Sequence, residues 1–567
     1  AARLRDPPQL RIRWRKLVLF AGFSLVVFIL LFNTISEWFF WQEYSSRYNF
    51  IAVDYLIYTT EVWGNIKESY PLTAIVSIIA LLTAAIVYAN RKSVVSSVLA
   101  GSPFILRSKH ALWILALPLC YTMFVSEKWR HFSHNEYVNS IAGNGLFEFA
   151  FAFKQNELNF YKYYQTVPDS TAFRLVKADL EQPGVRFIGK DTFSIEREIN
   201  YPEPEQKLNV VMISVESLSA DFMAAFGNKN HITPNLDSLA EHSLLFTNLY
   251  ASGTRTVRGL ESLALSIPPT PGQSTVKRPD NAGLFSLGSV FRSKGYTAQY
   301  IYGGYSYFDN MKSFFSSNGY EVIDRSSIAP KNIHYENVWG VADEDLFSLA
   351  LEKLDSNAAK GKPFFTQIMT VSNHRPYTYP ADRIDIPPST QTRDGAVKYT
   401  DYAIGRFLKE AAGKPWFSNT IFVIVADHCA SSAGSVELPV NAYHIPMLIY
   451  APALLQARHI NTLTAQVDIA PTILGLLKFH YRSKFFGKDI FQPSANQHAF
   501  ISTYQGLGFV QNGELIIQSP VRQVKEQHPN PVSGDAIDTP VNESLAQLAI
   551  SYYQCASWLL MHGRQGF

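Results

Sequence analysis

The 567-residue sequence predicts an α/β protein, a mostly parallel sheet flanked by helices, preceded by an α-helical transmembrane domain. Three observations carry this expectation. From Leu208 to about Gln497, apolar runs of strand length alternate with stretches of helical spacing. One of those runs, Val210 to Val215, is almost unbroken and rich in β-branched residues, as in a strand buried on both faces. Ahead of this region stand three apolar segments whose flanks differ in charge.

The apolar segments are 17–32, 72–89 and 111–125. The first two approach the roughly 20 residues that span a bilayer, and the third is shorter and contains Pro118. Arg3, Arg5, Arg11, Arg13, Arg15 and Lys16 precede the first segment, and Arg91, Lys92, Arg107 and Lys109 separate the second from the third. Both basic flanks belong on the cytoplasmic side. The intervening loop carries Glu37, Glu43, Asp54, Glu61 and Glu68 against Arg47 and Lys67, which suits the outer side. This topology would place everything after Val125 outside the cytoplasm, as expected of a multi-pass protein of a bacterial inner membrane with its α/β domain on the periplasmic or extracellular side. Buried core helices of a soluble protein are the competing reading. The chain opens at Ala1 without an initiator Met or a signal-peptide pattern, so we expect it to start inside a longer protein.

Between the first two segments, the aromatic stretch 38–70 reads as helices lying in the outer interface or packing against the spans. The expected organisation is a transmembrane domain (1–126), juxtamembrane helices and a linker (127–207), the α/β domain (208–497) and a C-terminal segment (498–567). The last ends in a docking helix at about 543–561, whose apolar residues have mostly helical spacing. A formal net charge of only +3 gives no reason to expect a nucleic-acid partner. Three cysteines, one of them in an apolar segment, exclude a disulfide framework.

Within the α/β region the expected strands are 210–215, 297–302, 363–371, 420–426 and 446–450, and the expected helices are 234–243, 343–354, 395–412 and 468–477. Residues able to do chemistry stand just beyond the strands: Glu216 after the first, Ser372-Asn373-His374 after the third, Asp427-His428 after the fourth. Strand ends of a parallel sheet share one edge, where such sheets place their ligands. The turn Ser252-Gly253-Thr254-Arg255-Thr256 feeds a helical stretch, setting a hydroxyl near the positive end of a helix. Two carboxylates, an imidazole and a hydroxyl suit a divalent cation such as Mn²⁺, Zn²⁺ or Mg²⁺. Such a cation would activate the hydroxyl as a nucleophile toward phosphate.

In order and spacing, Glu216, Thr256, the Ser-Asn-His of His374 and the Ala-Asp-His of Asp427-His428 resemble the sulfatase-like branch of the alkaline phosphatase superfamily. More closely they resemble lipoteichoic acid synthase-like phosphoglycerol transferases, with phosphoethanolamine transferases as more distant relatives. The resemblance implies that Thr256 takes a phospholipid headgroup phosphate, releasing diacylglycerol. It implies that Glu216, Thr256, Asp427 and His428 hold one divalent metal, Mn²⁺ before Zn²⁺ or Mg²⁺. His374 would bind phosphate or protonate the leaving oxygen, and Arg255, Phe308, Asp309 and His444 would join it around the substrate. The donor would be phosphatidylglycerol or phosphatidylethanolamine, and the acceptor a glycan or lipid of the envelope.

The sequence departs from those relatives in three ways. The region Tyr305 to Asn310 lacks the arginine of their Trp-Asn-Arg stretch, Cys429 stands where Gly is usual, and the disulfides of lipid A phosphoethanolamine transferases have no counterpart. Thr254 competes with Thr256, since either hydroxyl suits a helix cap. Structural readings stay open for His374 and His444, and Arg258 either clamps substrate or pairs with Glu261. A sulfatase or phosphodiesterase, or a non-catalytic lipid-binding envelope protein, are the other readings. The Cys/Ser-x-Pro/Ala-x-Arg setting of formylglycine sulfatases is missing at Thr256-Val257-Arg258-Gly259-Leu260.

Overall fold

A computed structural model describes residues 8–44, 46–57, 59–99, 103–124, 132–133, 135–154, 158–189, 191–431, 433–494, 496–520 and 522–567. Arg3 and Arg5 of the basic flank, Val125 and the expected boundary at 126/127 lie outside these residues. The chain divides into two compact units, Ala1–Lys154 and Gln155–Phe567.

In the first unit the leading apolar segment lies inside a 37-residue helix, α1 (Pro8–Tyr44). At about 1.5 Å per residue, a helix of this length exceeds the hydrocarbon core of a bilayer. The most apolar windows of Ile12–Tyr44 and of α2 (Leu72–Ala89) have mean hydropathies of 2.5 and 2.4. Leu25, Val26, Leu81 and Leu82 stay largely exposed on them. Among the described residues these two helices are long and apolar enough to cross a membrane. The third apolar segment falls in α3 (Phe104–Phe124), which carries Arg107 and Lys109 near its start and Pro118 inside. The aromatic stretch continues α1 and then forms two short helices, Phe50–Ile57 and Thr59–Ser69.

In the second unit the all-apolar run forms β1 (Asn209–Val215), buried at every position. It sits inside a nine-stranded sheet with β2 (Leu244–Tyr250), β3 (Thr297–Tyr302), β4 (Glu321–Asp324), β5 (Phe364–Met369), β6 (Thr420–Ala426), β7 (His444–Tyr450), β8 (Arg458–Ile460) and β9 (Thr464–Ala465). The order is β8-β2-β7-β6-β1-β5-β3-β4, with β9 also paired to β2. All pairings are parallel except the two made by β7. The register sets Val215 opposite Ala426 and Ser214 opposite Met369. Three strands therefore end level, and their next residues open onto one edge. Because β7 runs backwards, it brings its first residue, His444, to the same edge, opposite Tyr250.

The turn after β2 leads into α4 (Thr256–Leu265), where every residue after the first is buried. Helices α5 (Asp343–Ala359) and α6 (Arg393–Ala411) pack on one another. The segment 498–567 contains a five-stranded antiparallel sheet running from His498 to Thr539. It ends in α7 (Glu543–Met561), started by the Asn542 side chain, which accepts from the backbone of Ser544 and Leu545. Tyr553 of α7 donates to the Gly508 carbonyl of this sheet (2.6 Å), and Tyr552 donates to Asp179 (2.6 Å).

Candidate metal centre and nucleophile

Glu216 is the first residue beyond β1 and is 1 % exposed. Its backbone N–H donates to Thr370 Oγ1 beyond β5 (2.9 Å), and its carbonyl accepts from Asn373 Nδ2 (3.0 Å). Ser217 follows with φ of 51°, a left-handed conformation that is costly for a serine and is typical of residues held by a site. The twist lets Ser217 donate twice, from its N–H to Asp427 Oδ1 (2.9 Å) and from its hydroxyl to Glu216 Oε1 (2.6 Å). Asp427, fully buried beyond β6, also accepts from the His428 N–H (2.7 Å). The His428 imidazole faces both acids, with Nε2 at 3.5 Å from Glu216 Oε1 and 3.6 Å from Asp427 Oδ2.

Thr256 is the first residue of α4, and its hydroxyl donates to Glu216 Oε2 at 3.0 Å. The half-buried Arg255 precedes it in extended backbone as the helix cap, with no side-chain capping bond. His374 brings Nε2 to 3.3 Å from the same Glu216 oxygen. One carboxylate oxygen is thus shared by a hydroxyl and an imidazole.

Close approach of α4 requires Gly259, where a Cβ would lie 2.3 Å from the Asp427 carbonyl oxygen. Gln466 joins the two sides, accepting from Ser252 N–H (3.0 Å) while its amide donates to the carbonyls of Ala426 (3.1 Å) and Asp427 (2.9 Å).

Glu216, Asp427 and His428 each offer a ligand atom, and these atoms lie within 4.8 Å of one another. Asp427 Oδ2 is buried without a hydrogen-bond partner. Burial, and then the charge on Glu216, push the Asp427 carboxyl up to about 7. Burial pushes Glu216 up as well, but the imidazoles of His374 and His428 more than offset it and leave it well below the carboxylate range. Burial lowers His428, and the two acids outweigh this, raising it to about 9. Two desolvated acids facing one imidazole, one oxygen unpaired, fit a divalent cation with mixed oxygen and nitrogen ligands.

The sequence and fold are those of a known family. The sulfatase family model matches residues 208–479. The crystal structure of a protein in the alkaline phosphatase superfamily from Vibrio parahaemolyticus is 31 % identical, covering 71 % of this chain and 99 % of that one, with a TM-score of 0.67. The chain belongs to the sulfatase family of the alkaline phosphatase superfamily. Lipoteichoic acid synthase LtaP from Listeria monocytogenes, 18 % identical, shares the fold with a TM-score of 0.56 over 70 % of this chain and 98 % of that one. Among curated proteins, phosphoglycerol transferase I from Xanthomonas campestris is 24 % identical over 54 % of this chain and 47 % of its own length. Its Escherichia coli counterpart is 26 % identical over 47 % and 36 %. The chain spans about half or less of the length of these two relatives.

Other expected residues of this sulfatase-family protein take defined places. Arg258 pairs with Glu261 (2.8 Å) and donates to the Thr270 carbonyl (2.7 Å), so it braces α4. His444 Nε2 lies 2.9 Å from the Thr247 carbonyl oxygen, with its ring against Phe226 and Tyr250. Cys429 is buried, and its thiol donates to the His444 carbonyl (3.2 Å). Phe308 meets the Trp339 indole edge-on at 5.5 Å, and Asp309 is buried with φ of 51°.

Trp339 itself stacks on His374, with ring centroids 4.6 Å apart. It stands in a short hairpin, beside Gly340 at φ of 152°, where a Cβ would lie 2.2 Å from the Gly303 carbonyl oxygen. Sequence reasoning did not single out Trp339, Ser217 or Gln466. Only the Trp-Gly pair before an acidic helix start could have marked the first.

Proposed function

We propose that this chain is a membrane-anchored, metal-dependent transferase of the cell envelope. It moves glycerophosphate from phosphatidylglycerol to a hydroxyl of a glycan or lipid acceptor. The observation that carries this reading is the Thr256 hydroxyl, set at a helix start and 3.0 Å from a carboxylate of the cation site. The curated relatives bearing the name phosphoglycerol transferase I support the choice of group.

A divalent cation held by Glu216, Asp427 and His428, Mn²⁺ before Zn²⁺ or Mg²⁺, would lower the pKa of an adjacent hydroxyl and neutralise charge on the phosphate. Thr256 Oγ1 attacks the phospholipid phosphorus, and the bond from phosphorus to the diacylglycerol oxygen breaks. The Thr256 proton passes to His374, whose Nε2 lies 3.3 Å from the Glu216 oxygen that the hydroxyl meets at 3.0 Å. His374 returns a proton to the departing diacylglycerol. Thr256 then holds the group as a phosphodiester. In the second half an acceptor hydroxyl attacks phosphorus, its proton passes to His374, and Thr256 leaves with the proton that returns to it.

The test is diacylglycerol release from phosphatidylglycerol vesicles with Mn²⁺ present. Thr256→Ala is expected to abolish release, and an undiminished rate in that variant would overturn the reading.

A further inference from the structure

The second unit encloses a cavity of about 380 Å³ between two stretches of chain far apart in sequence. One wall belongs to a three-stranded sheet of Val185–Phe187, Arg197–Ile199 and Tyr481–Ser483. The segment 191–196 leads into its second strand, and Lys484 follows its third. The other wall is the turn after α7. Gly563, at φ of 62°, reverses the chain there, so that the Arg564 N–H donates to the Leu559 carbonyl (2.8 Å) and Gln565 comes back alongside. Arg564 ties the walls together through Asp191 (3.0 Å), and Lys484 donates to the Gly566 carbonyl. Phe193 is set by stacking on Trp558 of α7, with centroids 5.3 Å apart. The cavity is thus held open by bonds its walls make with each other.

Two polar groups on these walls stay unmet. Glu196 is half-buried, and among the described residues its carboxylate has neither an ion pair nor a hydrogen bond. Gln565 is 6 % exposed, and its Nε2 is buried without a hydrogen-bond partner. Buried polar groups are otherwise almost always paired.

The cavity is also separate from the metal centre. Two residues after Lys484, the Phe486 N–H donates to the carbonyl of Ser266, just past the end of α4 (2.8 Å). Thr256 stands at the other end of that helix, about 15 Å away at 1.5 Å per residue.

We infer that this cavity is a second ligand site, one that binds a neutral sugar residue of an oligosaccharide. Its charged lining residues balance, Asp191 and Glu196 against Lys484 and Arg564, so the site as a whole favours neither an anion nor a cation. A phosphate would face the Glu196 carboxylate, and an ammonium would face Lys484 and Arg564; like charges brought together are costly. Hydroxyls escape both penalties. Two neighbouring hydroxyls of a sugar can give to the Glu196 carboxylate, and a third oxygen can receive from the Gln565 amide. The Phe193 and Phe567 rings, which also line the space, suit the apolar C–H groups of a pyranose. The volume falls in the range of roughly 300–1,000 Å³ found for small-molecule sites.

The experiment is calorimetric titration of the full chain, in detergent, with maltotriose, cellotriose and laminaritriose, and with ethanolamine as a charged comparator. At least one trisaccharide is expected to bind. Glu196→Ala is expected to weaken that binding about tenfold or more, since a hydrogen bond to a charged group is lost, and Gln565→Ala to weaken it several-fold. Glu196 has no partner to lose, so its variant should keep its melting temperature, which is measured alongside. Binding of no trisaccharide, unchanged affinity in folded Glu196→Ala, or tighter binding of ethanolamine than of every trisaccharide would overturn the inference. The outcome does not depend on diacylglycerol release, so this assignment and the transferase reading stand or fall separately.

Discussion

The Trp339 indole lies over the His374 imidazole, with centroids 4.6 Å apart and planes inclined by 22°. Its N–H donates to the carbonyl of the very next residue, Arg375 (2.6 Å). The imidazole is thereby fixed in direction as well as position. Aromatic pairs of this kind contribute about 0.5–1.5 kcal/mol beyond area burial, so Trp339→Ala is expected to lower kcat by up to about tenfold. Phe at 339 should recover most of the loss, since it keeps the stack and loses only the indole N–H. Steady-state rates with metal content measured in parallel check this; unchanged kcat in Trp339→Ala would remove Trp339 from the site.

Gly259→Ala is expected to disable the centre from behind. A methyl group there would meet the backbone of Asp427 at 2.3 to 2.8 Å, so either α4 or the end of β6 must move. Misplacement of reacting groups by about 1 Å can cost about 10²-fold in rate. The expected outcome is a rate loss of that order in a protein that still folds, measured by diacylglycerol release and circular dichroism.

Metal removal should destabilise the second unit. A ligand that binds only the folded state at 100 times its Kd contributes about 2.7 kcal/mol. Chelation is expected to lower the melting temperature by several degrees in the native chain. Asp427→Asn should abolish that response, because it removes an anionic ligand and eases the Glu216–Asp427 repulsion. Differential scanning calorimetry with and without EDTA distinguishes the outcomes.

The pH dependence of stability has a component outside the group of Glu216, Asp427 and His428. His498 is 2 % exposed, packed on Phe500, Phe509 and Tyr552, with Asp179 and Lys488 beside it. Burial, and then the Lys488 charge, push it down to about 3 against partial opposition from Asp179. With its folded value depressed, the unfolded chain binds the extra proton between about pH 6.5 and 3, so stability falls as pH falls through that window. The loss is on the order of a few kcal/mol. Asp401 and Asp468, which burial raises to about 6, act oppositely, losing stability as pH rises from about 4 to 6. His498→Phe is therefore expected to flatten or reverse the acid slope, as read from urea unfolding at pH 4, 5 and 7.

The legible parts of this protein were those with strong one-dimensional signals. Val210 to Val215 could hardly be anything but a doubly buried strand, and the residues after three parallel strand ends had to share an edge. Helix α7 begins and ends at the residues its spacing indicated. Strand β2 escaped notice because Leu244–Tyr250 comes after a helical pattern without a turn-forming pair to separate them. The C-terminal sheet was also missed, since polar residues such as Gln511, Gln518 and Gln527 are buried in its strands and blur the alternation. At the site, Glu216, Asp427 and His428 follow strands, but Gln466 and Trp339 reach it from turns whose convergence no local pattern encodes.

The central claim is that Thr256 carries the transferred group. The most direct measurement is the intact mass of the protein after incubation with Mn²⁺ and phosphatidylglycerol vesicles, with Thr256→Ala alongside and diacylglycerol followed in both. The expected result is a glycerophosphate-sized increment on the native chain, mapped to the peptide containing Thr256, that is absent from the variant together with diacylglycerol release. An increment that persists in Thr256→Ala, or release at the native rate without Thr256, would contradict the account.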